Sequence, residues 1–309
     1  MPESFADIVC ISSQMQEVMR RLKTAAPSMA PVVISGEAGT GKDLVARAIH
    51  GLSPISKGRL IPVNCWGSAD RSVEDELFGP ETVSGGLSAS GSLRLANDGT
   101  LFLDEVDALP PSTQPRLLRF LENQKDVGLN VRVIAATKDE ALVEKRIRAD
   151  LRYFLNIFLI RVPPLRERVS DMTDLIKKLL SGINQANGRV VSGVDQAVEN
   201  RFRAHPWPGN VREMRSVLEY AALVSDGNMI HSRDLPRNFG QFPLAAKSVE
   251  AELSGIQFPL GTTVERVEEL LILQTLERTN NNKTRTAELL GISLKTLHNK
   301  LKNYNAPAT

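Results

Sequence analysis

Two short segments of this sequence carry residues spaced for chemistry on a polyphosphate. Gly36-Glu37-Ala38-Gly39-Thr40-Gly41-Lys42 fits a G-x4-G-K spacing. Its glycines let backbone N–H groups turn toward phosphate oxygens, and a helix start behind the loop adds a favourable dipole. Lys42 is placed to reach the outer phosphates. Asp43 stands where a serine or threonine is usual, and its carboxylate can meet magnesium directly or through water. The second segment, Leu101-Phe102-Leu103-Asp104-Glu105, is an apolar run ending in two acids. Asp104 suits a magnesium ion and Glu105 suits the polarisation of an attacking water. Either segment alone has a plain structural alternative, a glycine turn with an exposed lysine or an acidic strand end. Together, in this order, they point to nucleotide hydrolysis.

A third constellation lies near the C-terminus. From Arg278 to Tyr304 there are six Lys/Arg against one acid, Glu288. Thr284–Ser293 reads as helix, glycine turn and helix start, with Ser293 as N-cap, and Leu294–Asn303 as a second helix. That spacing is helix-turn-helix, with the second helix for the major groove of double-stranded DNA. Lys295, Thr296, His298, Asn299, Lys300 and Lys302 are the candidates for DNA contact, some of them to phosphate only. No other His or Cys accompanies His298, so it reads as a DNA contact and not as a metal ligand. A basic helical hairpin packed on its own domain is the alternative.

The elements that must position these residues alternate. Met15, Val18, Met19 and Leu22 recur at helical spacing. Strands are expected at Pro31–Ser35, Arg59–Asn64, Gly99–Leu103 and Val131–Ala136, with helices at Leu44–His50 and Gln114–Leu121. Buried runs alternating with helices predict a parallel sheet covered on both faces. From about Val169 strand signals stop and helical patterns continue to about 235. Residues 240–262, with Phe-Pro, Ser-Gly and Leu-Gly pairs, read as a linker.

Composition bounds the rest. The 309 residues suggest about two domains, and 42% hydrophobic with 24% charged residues is ordinary globular usage. No apolar run approaches a membrane span, and the N-terminus lacks the pattern of a signal peptide. Cys10 and Cys65 make no disulfide framework, which fits a reducing cytosol. The net charge of +2 names no partner by itself. With the DNA-binding reading, the expected location is the cytoplasm, on the nucleoid.

With these residues in view, the chain resembles the AAA+ ATPases of bacterial enhancer-binding proteins, the NtrC-like activators of sigma-54 RNA polymerase. The resemblance rests on Gly36–Asp43, Pro62–Cys65, Glu76–Gly79, Gly99–Glu105, Arg148–Leu151, Val162–Arg168 and Trp207–Glu213. It covers about residues 8–235 and resumes at the C-terminus, which resembles a Fis-type module. It implies ATP and Mg2+ as cofactors. It implies that Gly36, Glu37, Ala38, Gly39, Thr40, Gly41, Lys42 and Asp43 bind phosphates and magnesium, and that Asp104 and Glu105 form the Walker B pair. It further implies that Asn64 holds the catalytic glutamate idle, that Thr137 is sensor I and Arg212 sensor II, and that Arg148 is donated across a subunit interface. Each arginine has a solvated surface charge as its alternative. A shared site makes hydrolysis depend on a ring.

The sequence departs from the family pattern in four places. The sigma-contacting Gly-Ala-Phe-Thr-Gly-Ala tip is absent from Pro80–Gly91, which is shorter and has no aromatic at its tip. The segment Glu122–Asn130, where the family places its second sigma-contacting loop, is also short. Phe154 replaces a usual second arginine, and Lys138 stands where asparagine or histidine is common. The match begins almost at the N-terminus, so no receiver or ligand-sensing domain is expected ahead of it.

The expected architecture is an α/β AAA+ P-loop domain with a helical lid and a small all-α module. Its parts are an ATP-binding subdomain at 1–168, a lid at 169–239, a linker at 240–262 and a Fis-type helix-turn-helix at 263–309. The expected function is a DNA-binding transcriptional regulator, dimeric on DNA, with a ring of identical chains or a mixed ring with a related protein. It either remodels sigma-54 polymerase or acts independently of it. A remodelling ATPase with a nonspecific DNA anchor is the rival from a different class.

Overall fold

The computed structural model describes residues 8–240 except 68–71, 80–90, 127 and 238, together with ten helical positions between Glu268 and Leu301. The chain divides into two units, residues 1–241 and 242–309.

The first unit is built on five parallel strands: β1 (Val32–Ser35), β2 (Leu60–Asn64), β3 (Gly99–Asp104), β4 (Val131–Thr137) and β5 (Phe158–Arg161). Their order across the sheet is β2-β3-β4-β1-β5, and each neighbouring pair is parallel. Because side chains alternate between faces, one strand feeds two cores. Val32 and Ile34 point into a core with Phe102, Ile134, Ala136 and Ile160. Val33 points to the other face, with Leu101, Leu103, Val133 and Ala135. Helices α1 (Ser13–Ala25) and α2 (Lys42–Gly51) cover the first face through Met15, Val18, Leu22, Val45 and Ile49. Helices α3 (Val73–Phe78), α5 (Thr113–Asn123) and α7 (Ala149–Leu155) cover the second through Leu77, Leu117, Leu121 and Leu151; the short α4 (Ser92–Leu95) and α6 (Glu140–Arg146) lie between them in sequence. Burial on both faces explains why the strands are continuous apolar runs.

The four sequence-predicted strands agree with β1–β4 to within a residue or so at each end. The fifth, β5, was not separated from the helices around it. Its Phe158-Leu159-Ile160-Arg161 run is only four residues long, and short apolar runs do not distinguish strand from buried helix by period.

The lid carries α8 (Met172–Asn187), α9 (Gln196–Ala204) and α10 (Asn210–Val224) around a separate core. It also holds two strands of two residues each, β6 (Gly193–Val194) and β7 (Met229–Ile230), which pair in parallel; the sequence reading expected helices only. Trp207 is fully buried there, edge-on to Phe202 at 5.1 Å, with its Nε1 donating to the Phe202 carbonyl at 2.7 Å. Asp171 ties the start of α1 to the lid boundary. Its carboxylate accepts from the Ile11 and Ser12 amides and from the Ser12 hydroxyl, at 2.6 to 2.8 Å.

In the second unit, Glu268, Ile272, Thr275, Leu276, Lys283, Thr286, Thr296, Leu297, Lys300 and Leu301 are helical. Ile272, Thr286 and Leu297 are buried. Ser293, the expected N-cap, lies outside the described residues, as do most of the linker and the turn.

Candidate nucleotide-binding site

A parallel sheet aligns the carboxyl ends of its strands, and ligands bind at that edge. Here Ser35 stands beside Thr137 and Asn64 beside Asp104. The glycine loop leaves β1 at this edge and runs into α2. Gly39 and Gly41 have φ of 77° and 97°, in the region that only glycine enters freely. At Gly39 a Cβ would overlap the Gly209 carbonyl, so the loop packs directly on the lid. The Gly39 carbonyl accepts from the Val211 amide at 3.0 Å and from the Arg212 amide at 3.3 Å. The first turn of α10 is thus docked on the loop.

Side chains reinforce that seam. Glu37 accepts both guanidinium nitrogens of Arg166, at 2.8 and 2.5 Å, and the Asn210 amide at 3.1 Å. The Arg166 guanidinium holds the Glu37 carboxyl below its ordinary range, with the Asn210 bond adding to the effect. Asn210, fully buried at φ 53°, also donates to the Ala38 carbonyl and accepts from the Leu165 amide. Arg168 reaches the Thr40 carbonyl from below at 2.8 Å. Glu37 and Thr40 therefore bind the loop to the lid and to the core; the sequence reading assigned them only to phosphate contact. The Thr40 hydroxyl donates to the Glu37 carbonyl at 2.8 Å.

Lys42 lies across the loop, its Nζ donating to the Gly36 and Glu37 carbonyls at 2.8 and 3.1 Å. Burial lowers its pKa, opposed by the nearby charges of Asp104 and Glu105; Lys138 and Arg212 act in the same sense as burial. Asp104 is pushed the other way. Burial raises its carboxyl, Lys42 opposes this, and Glu105 and Asp43 raise it further. These groups form one charge cluster. Apart from Lys138 they line a cleft of about 320 Å³ that includes Ala38, Gly39, Gly41, Lys42, Asp43, Asp104, Glu105 and Arg212. Leu179 and Arg215 from the lid also line it. Arg215 is a residue the sequence reading missed. It lies one helical turn after Arg212, and that i, i+3 spacing was the available signal.

Glu105 has φ 55° and ψ 51°, a left-handed conformation that costs a non-glycine residue about 1–3 kcal/mol. Its carboxylate meets the Lys138 ammonium at 2.6 Å. Asn64 shares the strand edge with Asp104, but its Oδ1 accepts from the Trp66 amide at 3.0 Å. Thr137 is fully buried, and its hydroxyl donates to Asp107 at 2.7 Å, while its carbonyl accepts from the Gly36 amide. The structure thus gives Thr137 a scaffolding contact beneath the loop.

Arg148 lies apart from this cleft. It is exposed, pairs with Asp150 at 2.8 Å, and its backbone amide donates to Gln114. Arg152 donates to the Glu144 carbonyl and Phe154 packs on the core, so position 154 is given to packing. In the second unit Thr296 is exposed on its helix, and Lys300 pairs with Glu268 at 2.8 Å. That pairing joins two helices distant in sequence, beyond the DNA contact expected of Lys300. Lys295, His298, Asn299 and Lys302 lie outside the described residues, as does the segment 80–90.

A glycine loop between β1 and α2, acids at the end of β3 and a helical lid docked on the loop define an AAA+ P-loop domain. The sequence matches the sigma-54 interaction domain over residues 8–161, the AAA+ ATPase lid domain over 166–251 and the bacterial regulatory protein Fis family over 263–304. It is 36% identical to the transcriptional regulatory protein FlbD of Caulobacter vibrioides, over 94% of this chain and 69% of that one. It is 37% identical to the regulatory protein AtoC of Escherichia coli, over 96% and 67%. NtrX of Brucella abortus, solved in complex with ADP, aligns at a TM-score of 0.66 and 29% identity, over 97% of this chain and 69% of that one. The chain belongs to the enhancer-binding-protein family of sigma-54-dependent transcriptional regulators, with an AAA+ domain and a Fis-type helix-turn-helix. Among the described residues no helix is long and apolar enough to cross a membrane.

Proposed function

We propose that this chain binds ATP between the glycine loop and the lid, hydrolyses it in an assembly of several copies, and binds DNA through its C-terminal module. The observation that carries the reading is the convergence of Lys42, Asp104, Glu105 and Arg212 on one cleft at the strand ends. Three of its features match phosphoryl transfer: backbone amides and a lysine for the β- and γ-phosphates, a carboxylate pair, and a lid arginine facing the outer phosphate. Glu105 takes the proton of the attacking water. A structure of NtrX of Brucella abortus was solved with ATP, which supports the same ligand here.

Magnesium fits the acids present. Asp104 is a half-buried carboxylate raised by burial and by its acidic neighbours, a setting that a divalent cation offsets. Among the described residues no group of three or more His, Cys, Asp or Glu forms a ready cage. Magnesium needs none, since one or two carboxylates plus substrate phosphates hold it. Asp104 would hold it, with Asp43 beside it, and the ion would neutralise charge developing on the phosphates.

Arg148 completes the site from a second copy. An arginine given to a neighbour must be exposed and outside its own cleft, and Arg148 is both. The Fis-type module, with its basic stretch, binds double-stranded DNA as a dimer. Phosphate contacts give affinity there and the second helix gives sequence choice.

One observation favours a narrower activity. Residues 124–130 join α5 to β4, with the Leu129 amide donating to the Gln124 carbonyl at 2.8 Å and the Gly128 amide to the Lys125 carbonyl at 3.0 Å. So short a connection leaves no length for a protruding second loop. The missing Phe-Thr tip in Pro80–Gly91 is a second loss on the sigma-contacting side. This chain therefore regulates without opening sigma-54 promoters by itself, acting on its own targets or alongside a related protein that carries intact loops.

Two measurements test the proposal. Binding of a fluorescent ATP analogue should weaken at least ten-fold in Lys42→Ala, as expected for loss of a charged phosphate contact; unchanged affinity rejects the site. Purified protein with sigma-54 holoenzyme, ATP and a supercoiled promoter bearing a footprinted site should yield no open complexes. Robust ATP-dependent opening rejects the narrower activity.

A further inference from the structure

Lys138 stands at the end of β4, the first residue after Thr137, and reaches the carboxylate of Glu105 at 2.6 Å. Glu105 itself is held in a left-handed backbone conformation by its place at the mouth of the 3-10 turn Val106–Ala108. Its side chain is only 20% exposed, while that of Lys138 is 44% exposed. The acid is therefore the more confined of the two and the lysine the more exposed. Lys138 also lies within electrostatic reach of Lys42, as does Arg212. Along the cleft proposed for the outer phosphate lie Lys42, Arg212 and Arg215, with Lys138 close to Lys42. Lys138 is engaged by Glu105, the residue proposed as general base.

We propose that Lys138 exchanges its partner when a triphosphate enters, leaving Glu105 for the γ-phosphate, so that the general base is released only when its substrate is present. The proposal rests on the reading of this cleft as an ATP site. The physical reasoning is a competition between anions for one ammonium. In the nucleotide-free protein the nearest anion is the Glu105 carboxylate. A γ-phosphate carries more charge and more acceptor oxygens than a carboxylate, and the approach of the two anions would be repulsive unless a cation sits between them. Lys138 is the cation that can sit there, since its ammonium already faces Glu105, while Lys42 is held by the loop carbonyls. A diphosphate ends one group short of this position and leaves the Lys138–Glu105 pair intact. The Asn64 Oδ1 accepts from the Trp66 amide, and the ion pair that engages the Glu105 carboxylate is the one with Lys138. Lys138 is thus a γ-phosphate ligand and a positioning residue for Glu105. The exchange moves no covalent bond; it changes only which anion the ammonium faces.

The test is a double-mutant cycle in the full-length protein, read by calorimetric titration with ADP and with a non-hydrolysable ATP analogue. The wild type should prefer the triphosphate, and Lys138→Gln should reduce that preference by on the order of ten-fold, the value of one charged contact, with ADP affinity unchanged. Glu105→Gln removes the competing anion and should tighten triphosphate binding in the wild-type background. In the Lys138→Gln background that tightening should be lost if the two residues share a partner. If Glu105→Gln instead tightens binding equally or more when Lys138 is absent, the acid merely repels phosphate and the exchange is wrong. An unchanged ATP-to-ADP preference in Lys138→Gln also overturns it. Failure of the wild type to bind either nucleotide overturns the ATP site itself, a result separate from the other two. Lys138→Arg, which keeps the charge, should keep the preference, whereas a purely packing role would make it behave like Lys138→Gln.

Discussion

The nucleotide cleft and the surface around Arg148 lie in one domain and are finished to different degrees. In and around the cleft, charged groups arrive from the glycine loop, β3, β4 and α10, and several are held by contacts distant in sequence. Glu37 meets Arg166 across 129 residues of sequence and Asn210 across 173. Around Arg148 the contacts are local. Arg148 pairs with Asp150, two residues on, and the same helix leaves Tyr153 and, just past its end, Ile157 exposed. A hollow of about 790 Å³ beside them is lined by Asp150, Arg152, Tyr153, Phe154 and Ile157 without the convergent charges of a phosphate site. On the proposed function, the difference separates what one copy completes by itself from what it offers to another: binding is prepared within the chain, and catalysis waits for a neighbour.

That division predicts the largest effect at the residue with the fewest contacts. Arg148→Ala should lower ATP turnover by about 10³–10⁵, the range for loss of an arginine finger. Nucleotide affinity and thermal stability should hardly change, because the side chain is exposed and paired only with Asp150. Phosphate release measured alongside calorimetric binding checks both halves. A matching loss of affinity would place Arg148 in its own cleft and dissolve the comparison.

Asn210 is the converse case, a residue with no chemistry and many contacts. Asn210→Ala removes a buried acceptor for the Leu165 amide and donors to Glu37 and Ala38, in a left-handed position where alanine is disfavoured. Leaving a buried partner unsatisfied costs about 1–3 kcal/mol, so the melting temperature should fall by roughly 2–12 °C for a unit of this size. The stabilisation conferred by added ATP should shrink as well, since the seam between loop and lid borders the proposed binding site. A normal melting curve would show that the seam is not structural.

The smallest effect is in pH. Glu37 has its carboxyl lowered by Arg166. A group depressed in the folded state stabilises above its unfolded pKa, and that contribution is lost as pH falls through the folded value. The wild type should therefore lose stability below about pH 4.5, the ordinary range for a glutamate carboxyl, more steeply than Glu37→Gln does. Parallel slopes in thermal melts across that range would show the Arg166 pair contributes nothing, as many exposed pairs do.

The same contrast explains what was legible in the sequence. The glycine loop and Asp104-Glu105 could be read because their function needs a fixed local spacing, and β1 to β4 because both faces are buried. The clamp of Glu37 by Arg166 and Asn210 was not legible, since its three members are far apart in sequence. The pairing of Glu105 with Lys138 could not be read either. Only the parallel register that sets the end of β4 beside the end of β3 brings them together. Arg148 could be named from a resemblance, but its exposure and its distance from its own cleft needed the fold. The two strands of the lid, two residues each, are too short to leave a period.

The central claim is that the catalytic site is divided between copies, with Glu105 on one and Arg148 on the next. Mixing two inactive variants tests it most directly. Glu105→Gln and Arg148→Ala should each lack turnover alone, and their mixture should regain ATP hydrolysis, because some interfaces then join an intact Glu105 to an intact Arg148. Recovery should grow with total protein concentration and be greatest near equal proportions. A mixture that stays as inactive as its parts, although both variants bind ATP and assemble, would contradict the divided site.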